Sequence, residues 1–150
     1  MKNLTKNNDV VLGPLEDFIG FYLRRAYEKA FSDFSDILGN DSLRPGNFTL
    51  LVLIYENPGI TQVEICRAAG RDKSGVTLSL RQMEDDGLIE RIRVEGDRRS
   101  YASYITDKGR ELYARVLEKG EIHKKQLDDR IGADRKAEMI DLLKKLIDED

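Results

Sequence analysis

The sequence predicts a mainly α-helical fold with one small β-hairpin, and three observations predict it. Residues 71–99, RDKSGVTLSLRQMEDDGLIERIRVEGDRR, read as an amphipathic helix, a strand, and a tight charged turn leading into a second strand. A shorter helical segment precedes them, bounded by a capping signature at Thr61 and by Gly70. Apolar stripes of helical period fill both ends of the chain, with no repeat and no low-complexity stretch. Two short helices joined through a glycine turn make a helix-turn-helix, and a hairpin after the second makes it winged.

In chain order, residues 1–13 read as frayed. Pro14 suits a first helical turn. From there to about residue 38, Leu15, Phe18, Ile19, Tyr22, Leu23, Ala26, Ala30, Phe34 and Ile37 form a broad helical stripe, roughly 37 Å long at the helical rise. The stripe is longer and more aromatic than a small winged helix needs. It reads as ordinary core or as a subunit interface that partly lines a ligand cavity, and the two are compatible. Residues 39–47 read as a loop. The apolar run 48–56, stopped by Asn57-Pro58-Gly59, fits either a buried helix or a strand; its helical neighbours and Pro45-Gly46 favour a helix.

Thr61-Gln62-Val63-Glu64 matches a capping box, with Thr at the cap and Glu three residues on. The helix 62–69 offers Val63, Ile65, Cys66 and Ala69 to the interior, and Gly70 ends it. The next helix is capped by Asp72 or Ser74. With Val76 at zero on a helical wheel, Leu80 and Met83 fall within about 40°, one apolar seam. Ser74, Thr77, Leu78 and Arg81 gather on the other side. Arg suits guanine edges, Ser and Thr suit base or phosphate, and Leu or a Thr methyl meets a thymine methyl, so that face fits a DNA major groove. Gly87 closes the helix. Residues 88–94 and 100–105 read as strands around Glu95-Gly96-Asp97-Arg98-Arg99, with Tyr101, Ser103 and Ile105 facing one way and Ala102 and Tyr104 the other. Thr106 caps a helix to about residue 131, apolar at Leu112, Val116, Leu117 and Leu127. Gly132-Ala133-Asp134 interrupts, and the last helix, 135–148, carries Met139, Ile140, Leu142, Leu143, Leu146 and Ile147.

The chain of 150 residues reads as one domain or one domain plus a helical extension, and its 35% charged residues suit a soluble, helix-rich protein. No run approaches the roughly 18 apolar residues of a membrane span. The polar start lacks an apolar targeting core. No membrane partner is expected, and the cytoplasm is the expected compartment. A single cysteine excludes an internal disulfide. With one histidine, no Cys-x-x-Cys and no His-Glu-x-x-His, neither metal nor cofactor is expected. Without a paired His and Cys or a phosphate-cradling glycine loop, no residue is assigned a catalytic role and the chain reads as non-enzymatic. Cys66 reads as a small core residue, and His123 as exposed or at an interface. The neighbouring carboxylates Asp85 and Asp86, and Asp128 and Asp129, diverge by about 100° on a helix and read as solvated faces.

A net charge of −3 argues mildly against nucleic acid as a partner. The distribution softens this. Arg71, Lys73 and Arg81 outnumber Asp72, and four arginines between residues 91 and 99 outnumber Glu95 and Asp97. The intervening Glu84, Asp85, Asp86 and Glu90 must then point away from phosphate.

The set resembles the MarR family of bacterial transcriptional regulators. Arg71-Asp72-Lys73-Ser74-Gly75-Val76-Thr77 is similar to the family's start of the recognition helix, and Glu84-Asp85-Asp86-Gly87-Leu88-Ile89-Glu90-Arg91 to its acidic-Gly-Leu-Ile-Glu-Arg junction. Asp97-Arg98-Arg99, then Ile105-Thr106-Asp107-Lys108-Gly109, resemble its wing and the start of the next helix. The resemblance covers about residues 14–148. It implies a homodimer whose terminal helices, about 14–39 and 107–148, interlock into a dimerisation layer, with the winged part, about 46–105, below. It also implies a pseudo-palindromic double-stranded operator and release by a small-molecule effector. At Leu78 and Ser79 the sequence departs from the family, which often carries a longer basic or polar residue and then an apolar one. Peroxide sensors of the family carry a reactive cysteine in the first helix. Cys66 lies elsewhere, in the first helix of the helix-turn-helix, so that switch is not expected.

The expected DNA contacts are Ser74, Thr77, Leu78 and Arg81 in the major groove, and Arg98 and Arg99 on the wing, one of them inserting into a narrow minor groove. Asp97 is expected to hold one of those arginines by a charge-assisted hydrogen bond. Gln62 and Lys73, near helix starts, suit phosphate, with Arg71 beside them. For the effector, Phe18, Tyr22, Phe48 and Tyr55 are candidate walls, and Arg24, Arg25 or Arg44 candidate partners for an anion; the alternative is that the aromatics only fill core. Such a site suits an aromatic carboxylate or its thioester. The reading is a ligand-responsive DNA-binding repressor. The alternative is a winged-helix module that binds only protein.

Overall fold

The computed structural model describes residues 10–41 and 43–148. The expectation of a frayed start falls largely on residues 1–9, which lie outside the described residues. The long N-terminal stripe is not one helix. A 3-10 turn, Gly13–Asp17, ends where Phe18 turns extended (φ −98°, ψ 110°), and helix α1, Ile19–Leu38, starts after it. The Tyr22 hydroxyl donates back to the Glu16 carbonyl at 3.0 Å and ties the turn to the helix.

Helix α2, Pro45–Glu56, takes up the apolar run, with Pro45 in its first turn, where the missing N–H costs nothing. Strand β1, Ile60–Thr61, follows, then helix α3, Gln62–Ala69. Both halves of the capping box are present: the Thr61 hydroxyl accepts from the Glu64 N–H, and the Glu64 carboxylate accepts from the Thr61 N–H at 2.8 Å. Gly70 sits at φ 63°, the left-handed position that ends a helix with least strain in glycine. Helix α4, Lys73–Asp85, leads to strand β2, Ile89–Arg93, and strand β3, Tyr101–Ile105. Helices α5, Asp107–Ile131, and α6, Lys136–Ile147, complete the chain.

The three strands form one antiparallel sheet in the order β1-β3-β2. The hairpin register pairs Arg91 with Ser103 and Ile92 with Ala102. Strand β1 was not expected, because two residues are too few to show an alternating pattern. It pairs Ile60 with Ser103 and thereby lays the start of α3 against the wing.

The core lies where α2, α3, α4, the sheet and the near ends of α1 and α5 meet. Leu50, Leu51, Ile54, Ile65, Val76 and Val116 are fully buried there, each stabilising the fold by about 1.5–3 kcal/mol. Helix α1 buries only Phe34 and Leu38, at its C-terminal end; α5 buries residues only up to Val116; α6 buries none. Phe18, Ile19, Ile122, Leu142, Leu146 and Ile147 are exposed. The outer ends of the long helices therefore present an uncovered apolar surface. No helix among the described residues is long and apolar enough to cross a membrane.

The Ile105-Thr106-Asp107-Lys108-Gly109 stretch joins wing to helix. The Thr106 hydroxyl caps α5 by accepting from the Gly109 N–H at 3.0 Å and donates to the Gly87 carbonyl at 2.6 Å, while the Thr106 N–H donates to the Leu88 carbonyl at 3.0 Å. Gly109 rests directly on Leu88. A Cβ there would collide with the Leu88 carbonyl oxygen and approach Ile105 Cγ1 to 2.7 Å. Gly109→Ala should therefore lower stability by about 1–3 kcal/mol despite alanine's helix preference, because two backbones must part. Chemical denaturation measures it.

Candidate nucleic-acid interface

Helix α4 is held by one face and shows the other. Val76, Leu80 and Met83 are buried beneath it. Its N-cap is Asp72, whose carboxylate accepts from the Gly75 N–H at 2.8 Å; Ser74 is left exposed on the helix surface. Ser74, Leu78 and Arg81, at i, i+4 and i+7, are all exposed and form one outward stripe, with Leu78 70% exposed. An apolar side chain so uncovered is suited to meet a partner's surface. Lys73 is exposed at the helix start.

Thr77 and Gln62, two further expected contacts, face each other instead. The Thr77 hydroxyl donates to the Lys73 carbonyl at 2.8 Å and accepts from the Gln62 amide at 2.5 Å. Together they fasten α3 to the first turn of α4. Arg71 also departs from its expected role at DNA. Its half-buried guanidinium turns inward, donating to the Gly46 carbonyl at 3.3 Å and the Ser79 hydroxyl at 3.2 Å. Its backbone is set by the left-handed Gly70 before it and by its own N–H donating to the Cys66 carbonyl, and its side chain finds acceptors on α2 and α4.

The wing turn closes with the Val94 N–H donating to the Ser100 carbonyl at 2.9 Å, and Gly96 takes φ 82°. Arg98 and Arg99 are exposed. Asp97 holds the Arg99 backbone and not a guanidinium: its carboxylate accepts from the Arg99 N–H at 3.0 Å. Asp97 thus shapes the loop and leaves the arginine side chain to solvent. Arg93, also exposed, donates to the Tyr101 hydroxyl at 3.3 Å.

Arg91 is an internal brace. Its guanidinium donates to Glu84 of α4 at 3.1 Å, its backbone N–H to the same carboxylate at 3.3 Å, and it lies 5.4 Å from the Tyr101 ring centre. The bond from Arg91 holds the Glu84 carboxyl below its ordinary value of 4.5, with burial opposing. Wing and α4 are thereby locked at the helix's far end.

A cavity of about 570 Å³ lies between α1, α2, α5 and the turn after α3. Its aromatic wall is Tyr27, Phe31, Phe34 and Phe48; Arg71 and His123 supply polarity. The His123 ring stacks on Phe34 at 4.7 Å, and its buried Nδ1 has no partner among the described residues. Burial pushes the imidazole down, with Asp33 opposing, which favours the neutral ring. His123 is thus half-buried in a cavity wall and not exposed. Of the expected effector residues only Phe48 lines this cavity. Phe18 at the cap of α1, and Tyr22 and Arg25 in its N-terminal part, lie outside the lining, Arg44 is exposed at the cap of α2, and Tyr55 stacks on Tyr113 at 4.2 Å. The wall residues outside that reading had a signal: Tyr27 and Phe31 stand four apart, in step with Phe34 of the N-terminal stripe. No group of His, Cys, Asp and Glu among the described residues is placed to hold a metal ion.

The MarR family model matches residues 43–101. A Thauera aromatica protein named for transcriptional regulation of the hcr operon is 30% identical over 143 residues, covering 95% of this chain and 86% of its own length. Among solved structures, the transcriptional repressor CouR bound to a 23-mer DNA duplex matches with TM-score 0.84 and 30% identity, over 93% of this chain and 99% of CouR. CouR bound to p-coumaroyl-CoA matches with TM-score 0.84 and 29% identity, over 95% and 100% of the two chains.

Because the Glu84 carboxyl titrates lower folded than unfolded, its contribution is complete above 4.5 and is lost as pH falls through the lowered value. Glu84→Gln should remove that dependence, so wild type loses more stability on acidification than the variant. The carboxylate is 38% exposed, and solvent screening keeps the difference within about 1 kcal/mol. Urea midpoints at neutral and acid pH measure it.

Proposed function

The chain belongs to the MarR family of transcriptional regulators, and on that premise we propose that it is a homodimeric repressor released from its operator by a small aromatic anion. The observation that carries the reading is the outward stripe Ser74, Leu78 and Arg81, held rigidly beside an exposed basic wing. Serine and arginine supply donors for base edges, and Leu78 a surface for a thymine methyl. Arg98 and Arg99 reach the adjoining backbone or minor groove. Lys73, at the helix start, suits phosphate.

The uncovered apolar surface on α6 and the outer ends of α1 and α5 supports two-fold association, since a lone chain would leave it wet. Two-fold symmetry sets two recognition helices roughly 34 Å apart, one turn of a pseudo-palindromic duplex. The binding part carries few cations on a protein of net charge −3, so affinity depends on both copies engaging together. The cavity is the effector site in this reading. Its volume suits a small ligand, its aromatic walls suit a flat ring, and Arg71 suits a carboxylate. An effector that favours the arrangement with mismatched helix spacing releases DNA by population shift.

Selection of bound duplexes from a random pool, followed by titration across salt, tests the reading. Wild type should bind a two-fold-related site. Replacing Arg98 and Arg99 by Ala should weaken binding about tenfold or more and make the salt slope shallower by roughly 1 for each phosphate no longer neutralised. Salt-independent retention, or none, would leave the protein-binding module as the better account.

A further inference from the structure

We propose that Arg71 is the specificity-determining and coupling residue of the cavity: the guanidinium that holds Ser79 of α4 is the one that receives the effector's negative group. The inference rests on the reading of the cavity as the effector site. Arg71 is the sole permanent cation among the described lining residues, and no carboxylate pairs with it among the described residues. A half-buried charge facing only neutral acceptors is incompletely compensated. Both of its bonds are long, 3.3 Å to the Gly46 carbonyl and 3.2 Å to the Ser79 hydroxyl. A carboxylate accepts from guanidinium at about 2.7–2.9 Å, in a two-pronged geometry and roughly twice as strongly as a neutral acceptor. An anion in the cavity therefore draws Arg71 from Ser79.

The consequence reaches the recognition helix directly. Ser79 is buried on α4, next to Leu78 and two residues from Arg81 of the outward stripe. Gly46 lies in the first turn of α2. Through Arg71 the two helices are cross-linked beside the cavity, and an anion replaces that link with one to itself. Linkage then requires that DNA weaken the anion by the same factor by which the anion weakens DNA.

The probes are 4-hydroxycinnamate and its uncharged methyl ester, titrated calorimetrically into the full-length protein, and added to complexes with the selected duplex. Wild type should prefer the acid to the ester by about tenfold or more, and Arg71→Met should erase that preference by weakening the acid alone. Arg71→Lys, a charge without the fork, should fall between. Ser79→Ala removes the competing acceptor and should tighten the acid severalfold while shrinking the acid's effect on DNA affinity. This one-atom change keeps the test valid if Arg71→Met melts early. If the acid releases wild type from DNA but Arg71→Met and Ser79→Ala respond as wild type does, the role of Arg71 is overturned and the cavity reading stands. If wild type binds DNA and ignores both probes, the inference falls together with the cavity reading.

Discussion

A helix that must present polar side chains to a partner can be held only from behind and at its ends. Helix α4 meets that constraint with three attachments of different chemistry. Val76, Leu80 and Met83 anchor its inner face by burial. Gln62 and Thr77 fasten its first turn by hydrogen bonds, and Glu84 with Arg91 its last by an ion pair. What remains outward is free to be chosen for recognition. Substitutions at Ser74, Leu78 and Arg81 touch little of the core, so on the proposed reading base preference can change without cost to the fold.

Much of this was legible in the sequence because it was local. The capping box at Thr61, the left-handed glycines after α3 and α4, and the apolar seam of α4 are all written within a few residues. The terminal helices showed by period alone. What the sequence hid depends on distant segments meeting. Arg71 looked like a phosphate ligand because its partners lie 25 residues before it and eight after. The two-residue strand β1 exists only because β3 passes beside it. Phe18 broke a continuous stripe by a backbone turn that periodicity does not register. His123 carried no partner in its neighbourhood, and its stacking on Phe34 joins α5 to α1.

The polar groups at the centre of the molecule divide by role. Lys119 donates to the Leu38 carbonyl at 3.0 Å and pairs with Asp41, closing the end of α1 against α5. That pairing is complete: a cation meets a carboxylate and the carbonyl at the end of α1. The Arg71 and His123 side chains at the cavity are incomplete by the same measure. A group that satisfies its neighbours fixes structure, and one that does not is available to a ligand.

Thr61 ends β1 and caps α3 at once, so the sheet and the helix-turn-helix share a single backbone joint. Glu84 and Arg91 make a second joint at the opposite end of α4. Two joints between the same bodies leave no hinge. On the proposed reading, a duplex too wide at the wing cannot be accommodated by tilting the wing alone. The misfit is passed to the groove-reading helix, and penalties for errors at the two places should not simply add.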